Sequence, residues 1–255
     1  MTRRPVELGG TVVPGRRAVV ELLRAGHRRV RSVSLARDRG AAAEEVAALA
    51  AAAGVPTRRR DPVQLRDEAG VEAAQGVVAH ADPLAPVALA ALLDEPAAFL
   101  VALDGVTDPQ NLGAVLRSAA AAGATGVVLP RRRAALLTPA AMKAAAGAAE
   151  HLPIALVGGA AGALEQAGRA GVWTIGLDAR GDTTVYDLGV ADRPLLLVLG
   201  AEGSGLARLA RRRCDVVARV PMPGPTESLN VAAAAAVTCF EVARQRSTTL
   251  NARPG

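Results

Sequence analysis

Apolar residues recur along this chain in two alternating rhythms. Runs of four to six consecutive, mostly apolar residues at 98–103, 126–129, 153–157, 172–177, 195–199 and 216–220 predict buried strands. Between them, apolar spacing of three and four predicts helices at 112–122, 139–148, 160–170 and 206–212, and then one long Ala-rich helix over 229–244. Unbroken apolar strands alternating with helices predict an α/β fold with a mostly parallel sheet covered on both faces.

Upstream the alternation is tighter. A stripe of Ala18, Val19, Leu22 and Leu23, stopped by Gly26, predicts a helix over 16–25. Strands follow at 30–36, 55–59 and 76–80, with helices at 41–53, ended by Gly54, and at 62–68, opened by Pro62. This predicts a small α/β module over 14–80. Pro83, Pro86 and Pro96 interrupt 81–97, read as a linker holding one short helix at 87–93. The second domain spans 98–246. Residues 1–13 and 247–255 read as tails, the first expected to be mobile.

Composition narrows the partner. Of the 255 residues, 51% are apolar but only 2% aromatic, so the core must be built from Val, Leu and Ala. The net charge of +6, with an isoelectric point near 10.7, favours an anionic partner such as nucleic acid. Lys143 is the only lysine in an Arg- and Ala-rich chain, which resembles general coding bias, so charge alone supports that partner weakly. Cys214 and Cys239 lack metal-ligand spacing and read as reduced core residues. His27, His80 and His151 are far apart and read as structural; no metal is expected. The N-terminus lacks an apolar leader, and no segment approaches the ~20 apolar residues that cross a membrane. A soluble cytoplasmic protein is the expectation.

Three loops at strand ends carry candidate chemistry, because ligands of parallel sheets sit beyond the carboxyl ends of the strands. In LDGVTDPQNLGAVLRSA (103–119), Asn111 reads as the cap of the following helix, and Arg117, alone, as a solvated arginine. In GAEGSG (200–205), glycines allow close backbone approach, and Glu202 is an unusual carboxylate within them. The spacing GxxGxG is not the dinucleotide fingerprint GxGxxG. In PTESLNV (225–231), Thr226 or Ser228 can cap the last helix, leaving Asn230 in its first turn. Arg131, Arg132 and Arg133 leave a strand on the same edge and are the leading phosphate-contact candidates. Arg211–Arg213 complement a helix dipole. Val157, GGAAG and Asp178 echo a dinucleotide-binding unit, but the glycine spacing disfavours a nicotinamide site.

Taken in order, LDGVTDPQNLGAVLRSA, LVLGAEGSGL and VPMPGPTESLNVAAAAAV resemble the SpoU (TrmH-like) ribose 2′-O-methyltransferases of the SPOUT superfamily, over residues 98–246. MKAAAGAAEHLPI and FEVARQRS resemble the branch that methylates a guanosine ribose in 23S rRNA. The first module, with GRRAVVELL and AQGVVA, resembles that branch's L30e-like RNA-binding domain. The resemblance implies a deep C-terminal trefoil knot and a homodimer packed through it, consistent with a small-residue helix face at 231–237. It implies S-adenosylmethionine as cofactor, held largely by backbone at Gly200, Val220 and Leu229. Met222 would lie beside the adenine, with Leu199, Gly203 and Pro221 in the same loops. Arg117 would be the catalytic arginine, surrounded by Asn111, Glu202, Ser228 and Asn230. Arg16 joins the arginines of 131–133 as an implied RNA contact. Ala232 departs from the pattern, standing where relatives often carry a small hydroxyl residue.

Other readings stay open on the sequence. The RNA could be tRNA, or rRNA protected against an antibiotic. A non-catalytic RNA-binding or ribosome-assembly factor could keep the fold, although the intact polar set around Arg117 argues against it.

Overall fold

The two rhythms build two sheets in the computed structural model, which describes residues 8–37, 40–72, 75–132 and 134–251. The first contains β1 (Val12–Pro14), β2 (Val30–Ala36), β3 (Thr57–Arg60) and β4 (Val77–Ala81), in the order β1-β4-β2-β3. Only β2 and β3 are parallel. Helices α1 (Arg16–Ala25), α2 (Ala41–Ala52) and α3 (Pro62–Ala69) connect them. Asp61 caps α3 by accepting from Gln64 N at 2.9 Å while Asp61 N donates back to Gln64 Oε1 at 3.2 Å.

Part of the expected N-terminal tail belongs to this sheet. Leu8 is buried, Gly10 N donates to Leu137 O at 2.8 Å, and Val12 and Val13 pair with His80 and Ala79. A three-residue strand is too short to show alternation, so the pattern concealed it. Residues 1–7 lie outside the described residues. The expected linker is packed too: α4 (Leu89–Leu93) buries Leu89, Leu92 and Leu93, and Val87 bridges to Ala155.

The second sheet has seven strands: β5 (Phe99–Asp104), β6 (Gly126–Pro130), β7 (Ile154–Val157), β8 (Trp173–Leu177), β9 (Thr183–Thr184), β10 (Leu195–Gly200) and β11 (Val216–Arg219). Their order is β7-β6-β5-β10-β8-β11-β9, and every pairing is parallel. Helices α5 (Pro109–Ala121), α6 (Pro139–Ala145), α7 (Ala160–Arg169), α8 (Arg208–Arg212) and α9 (Val231–Asn251) cover it. Side chains alternate between the faces. Phe99, Val101, Leu103, Leu195, Leu197 and Leu199 share a core with α5 and α9, and that core continues into α1 and the first sheet. Leu100, Ala102, Leu196 and Val198 face α7 and α8.

Two boundaries differ from expectation. Helix α5 begins at Pro109, not near Asn111, because Asp108 caps it by accepting from Gln110 N at 2.9 Å and proline suits the first helical position. Helix α9 continues to Asn251 through much of the expected C-terminal tail. Among the described residues, no helix is long and apolar enough to cross a membrane.

Candidate active site

At the carboxyl edge of β8 and β10 lies a cavity of about 790 Å³. The loop after β10 turns back on itself: Gly205 N donates to Ala201 O at 2.9 Å, and Ala207 N donates to Asp104 Oδ2 at 2.9 Å. Gly200 makes this turn possible, since a Cβ there would meet Gly205 O and Leu206 N at 2.5 Å. The turn aims Glu202 at the start of α9.

There a polar cluster forms. Glu202 Oε1 accepts from Asn230 Nδ2 at 2.6 Å, from Asn111 Nδ2 at 3.2 Å and from Val231 N at 3.3 Å. Asn230 Nδ2 also donates to Asn111 Oδ1 at 3.0 Å. Asn230 Oδ1 accepts from Ala232 N at 2.8 Å, so Asn230 itself caps α9, and neither Thr226 nor Ser228 does. The amide serves both ends: its oxygen accepts from the helix while its nitrogen donates to Glu202. The carboxylate beside Val231 N also faces the positive end of the α9 dipole.

Of the residues expected at a cofactor, Leu199, Gly200, Gly203, Val220, Met222 and Leu229 line the cavity; Pro221 does not. Glu202, Ser228 and Asn230 line it as well. Asn111 reaches it only through Glu202 and Asn230. Arg117 is exposed on α5 and has no hydrogen-bond or ion-pair partner among the described residues. Arg131 and Arg132 are exposed just beyond β6. Arg133 lies outside the described residues. Arg16 is engaged by Glu45, with Nη2 at 2.6 Å from Oε2.

One wall was missed by sequence reasoning: Leu177, Asp178, Ala179 and Arg180, leaving β8. Asp178 is buried, and its Oδ1 accepts from Arg180 N at 2.9 Å and pairs with Arg211 Nη1 at 3.0 Å. Burial alone would raise its pKa, but the Arg180 hydrogen bonds and the charges of Arg211 and Arg180 outweigh it and hold the carboxyl below its ordinary range. A carboxylate at the end of a buried strand was the available signal, set aside when the neighbouring glycines failed to match a dinucleotide site. Arg211 is therefore an internal partner of this wall, more than a dipole complement.

Apolar Leu199, Val220, Met222 and Leu229 suit a heteroaromatic ring, and the carboxylates of Glu202 and Glu227 suit a cationic ligand. The SpoU rRNA Methylase family model matches residues 98–240, and the model for RNA 2′-O ribose methyltransferase substrate binding matches residues 12–87. The chain is 42% identical to the 23S rRNA (guanosine-2′-O-)-methyltransferase RlmB of Pseudomonas aeruginosa, over 92% of this chain and 96% of that one. It is 44% identical to an uncharacterized tRNA/rRNA methyltransferase of Mycobacterium ulcerans, over 92% of this chain and 77% of that one. Its fold matches the SpoU methyltransferase AviRb of Streptomyces viridochromogenes in complex with AdoMet, with a TM-score of 0.78 at 28% identity, covering 93% of this chain and 90% of AviRb. A parallel α/β sheet with a ligand cavity at its carboxyl edge defines the class. Within that class, the chain belongs to the SpoU rRNA methylase family.

Proposed function

We propose that this chain transfers a methyl group from S-adenosylmethionine to a ribose 2′-hydroxyl of ribosomal RNA, at a guanosine of 23S rRNA. S-adenosylmethionine, when bound, supplies an electrophilic methyl on a sulfonium. The cavity residues fit it: backbone at Gly200 and Val220, the apolar wall of Leu199, Met222 and Leu229, and the nearby carboxylates. The single observation carrying this reading is the Glu202 cluster, which joins the cavity wall to α5, the helix that presents Arg117.

The chain's own residues then have three tasks. Glu202, Asn111 and Asn230 fix the two loops and the N-terminus of α9, so that alignment supplies much of the acceleration. Arg117, exposed and without a partner among the described residues, meets the ribose hydroxyl. The 2′-oxygen would take the methyl as the sulfonium's S–CH3 bond breaks, leaving a neutral thioether, and would lose its proton. Arg117 either takes that proton after transient deprotonation aided by an RNA phosphate, or stays charged and steadies the developing alkoxide while water takes the proton. Arg131 and Arg132 contact phosphate on the same sheet edge; Arg133 is assigned with them from sequence alone. Arg16 can join only by leaving Glu45.

The four-stranded unit serves as an L30e-like RNA-binding module. The catalytic unit carries a trefoil knot, a reading supported by β11 lying between β8 and β9, which adjoin in the chain. A homodimer is supported by Ala233, Ala236 and Phe240, which form an exposed or half-exposed stripe on α9, with Phe240 51% exposed. The working compartment is the cytoplasm, where rRNA is processed.

Incubating the purified chain with methyl-labelled S-adenosylmethionine and 23S rRNA should place one label on a guanosine 2′-oxygen. Label on tRNA alone, or on a base, would overturn the assignment.

A further inference from the structure

A buried ion pair joins the two units. Arg28, between α1 and β2, donates from Nε to Glu150 Oε2 at 2.9 Å and from Nη2 to Glu150 Oε1 at 2.5 Å. Its Nη1 donates to Gly10 O at 2.6 Å and Asp82 O at 2.7 Å. The two side chains are 6% and 1% exposed. Arg28 belongs to the four-stranded unit, while Glu150 ends a 3-10 turn (Ala148–Glu150) after α6 in the catalytic unit. The contact around them leaves little slack. A Cβ on Gly147, whose φ is +96°, would meet Glu21 Cβ at 2.5 Å, and His151 Nε2 lies 2.8 Å from Glu21 Oε2.

Burying two full charges carries a large desolvation cost, which good geometry only about repays. An apolar pair would hold two surfaces together equally well. What a bidentate fork adds is direction, since its parallel hydrogen bonds tolerate little rotation. Two backbone carbonyls on the remaining nitrogen fix the guanidinium plane against Gly10, just before β1, and Asp82, just after β4.

We infer that Arg28 and Glu150 are positioning residues that set the angle between the RNA-recognition unit and the active-site cavity. They thereby set which ribose of a bound RNA reaches Arg117. This inference rests on the proposed rRNA methylation. It assigns the pair no contact with substrate or cofactor. Nucleotide choice would then be a distance measured from a fixed recognition surface, not only a fit at the target base.

The test replaces the pair in the full-length chain. Arg28→Met or Glu150→Gln alone strands a buried partner and is expected to lower stability. The decisive variant is Arg28→Met with Glu150→Leu, which fills the site with apolar volume and should stay folded, its melting temperature lowered only by the loss of the donor to Gly10 O and Asp82 O. For a positioning role, its affinity for S-adenosylmethionine by calorimetry stays native. Its KM for 23S rRNA rises about tenfold or more, and label spreads to neighbouring nucleotides. A stable double variant with native KM and native site choice would overturn the inference and leave the pair purely structural. Failure of the native chain to methylate any rRNA would instead sink the proposed function, so the two failures are distinguishable.

Discussion

Asn230 Nδ2 lies 2.6 Å from Glu202 Oε1, and the same amide group caps the 21-residue helix α9 through its oxygen. One side chain therefore ties the glycine loop after β10 to the start of the last helix. Anchoring of the glycine loop and helix initiation share a residue.

Glu202→Gln keeps the size of the side chain and removes its charge. Its Oε1 now accepts three hydrogen bonds, two from amides and one from Val231 N. Loss of charge-assisted bonding is expected to lower kcat/KM by roughly 10- to 100-fold, from about 1.5–3 kcal/mol per bond to a charged group. Steady-state methylation of rRNA measures this, and near-native turnover would show that the carboxylate charge is dispensable.

Arg117 has no partner within the described chain, so altering it should leave the fold alone. Arg117→Lys keeps the charge and loses the planar fork. A fall of about 100-fold in turnover is expected, with S-adenosylmethionine affinity unchanged, because one oriented donor is worth about that much in a transition state. Calorimetry paired with single-turnover kinetics separates the two effects; a lysine variant with full turnover removes Arg117 from the chemistry.

Gly200→Ala should be harsher than its single methyl suggests. The added carbon would press on Gly205 O and Leu206 N, which are backbone atoms and cannot rotate away. Overpacking of this kind costs about 1–3 kcal/mol and would displace the loop carrying Glu202. A lower melting temperature and a weaker cofactor heat are the expected readouts. Native values for both would mean that the loop can yield.

Both cysteines should resist labelling. Burial pushes the Cys239 thiol up to about 12. Burial, with Asp215 adding to it, pushes the Cys214 thiol up to about 12. An unfolded thiol titrates near ~8.5, so the native state retains protons that the unfolded chain gives up. This stabilisation is complete below that pH and is lost as the pH climbs towards the folded value. A disulfide reagent at pH 8 should react slowly with the native chain and with two thiols in denaturant. Fast native labelling would contradict the burial of these groups.

Much of the architecture was legible. The apolar runs placed β5, β6, β7, β8, β10 and β11 within a residue or two, because strands buried on both faces need uninterrupted apolar sequence. Strands β1 and β9 escaped: three and two residues, both at sheet edges, carry no such run. The motifs located Asn111, Glu202 and Asn230, but not their division of labour. Local spacing made Asn111 a cap, whereas Asp108 takes that role and frees Asn111 to face Glu202 from 91 positions away. Asp178 and Arg28 were illegible as partners, since Arg211 and Glu150 reach them only through tertiary packing.

The strand order has a consequence for synthesis. Phe99 in β5 pairs with Leu195 in β10, so the middle of the large sheet stays open until that later segment is made. At about 5–20 residues per second, a growing chain carries an unpaired apolar edge for roughly 5–20 s. Folding of the second unit is thus expected to wait for β10 to be made. A chaperone that shields sheet edges during that interval would raise the yield of active protein more than one acting on the finished chain.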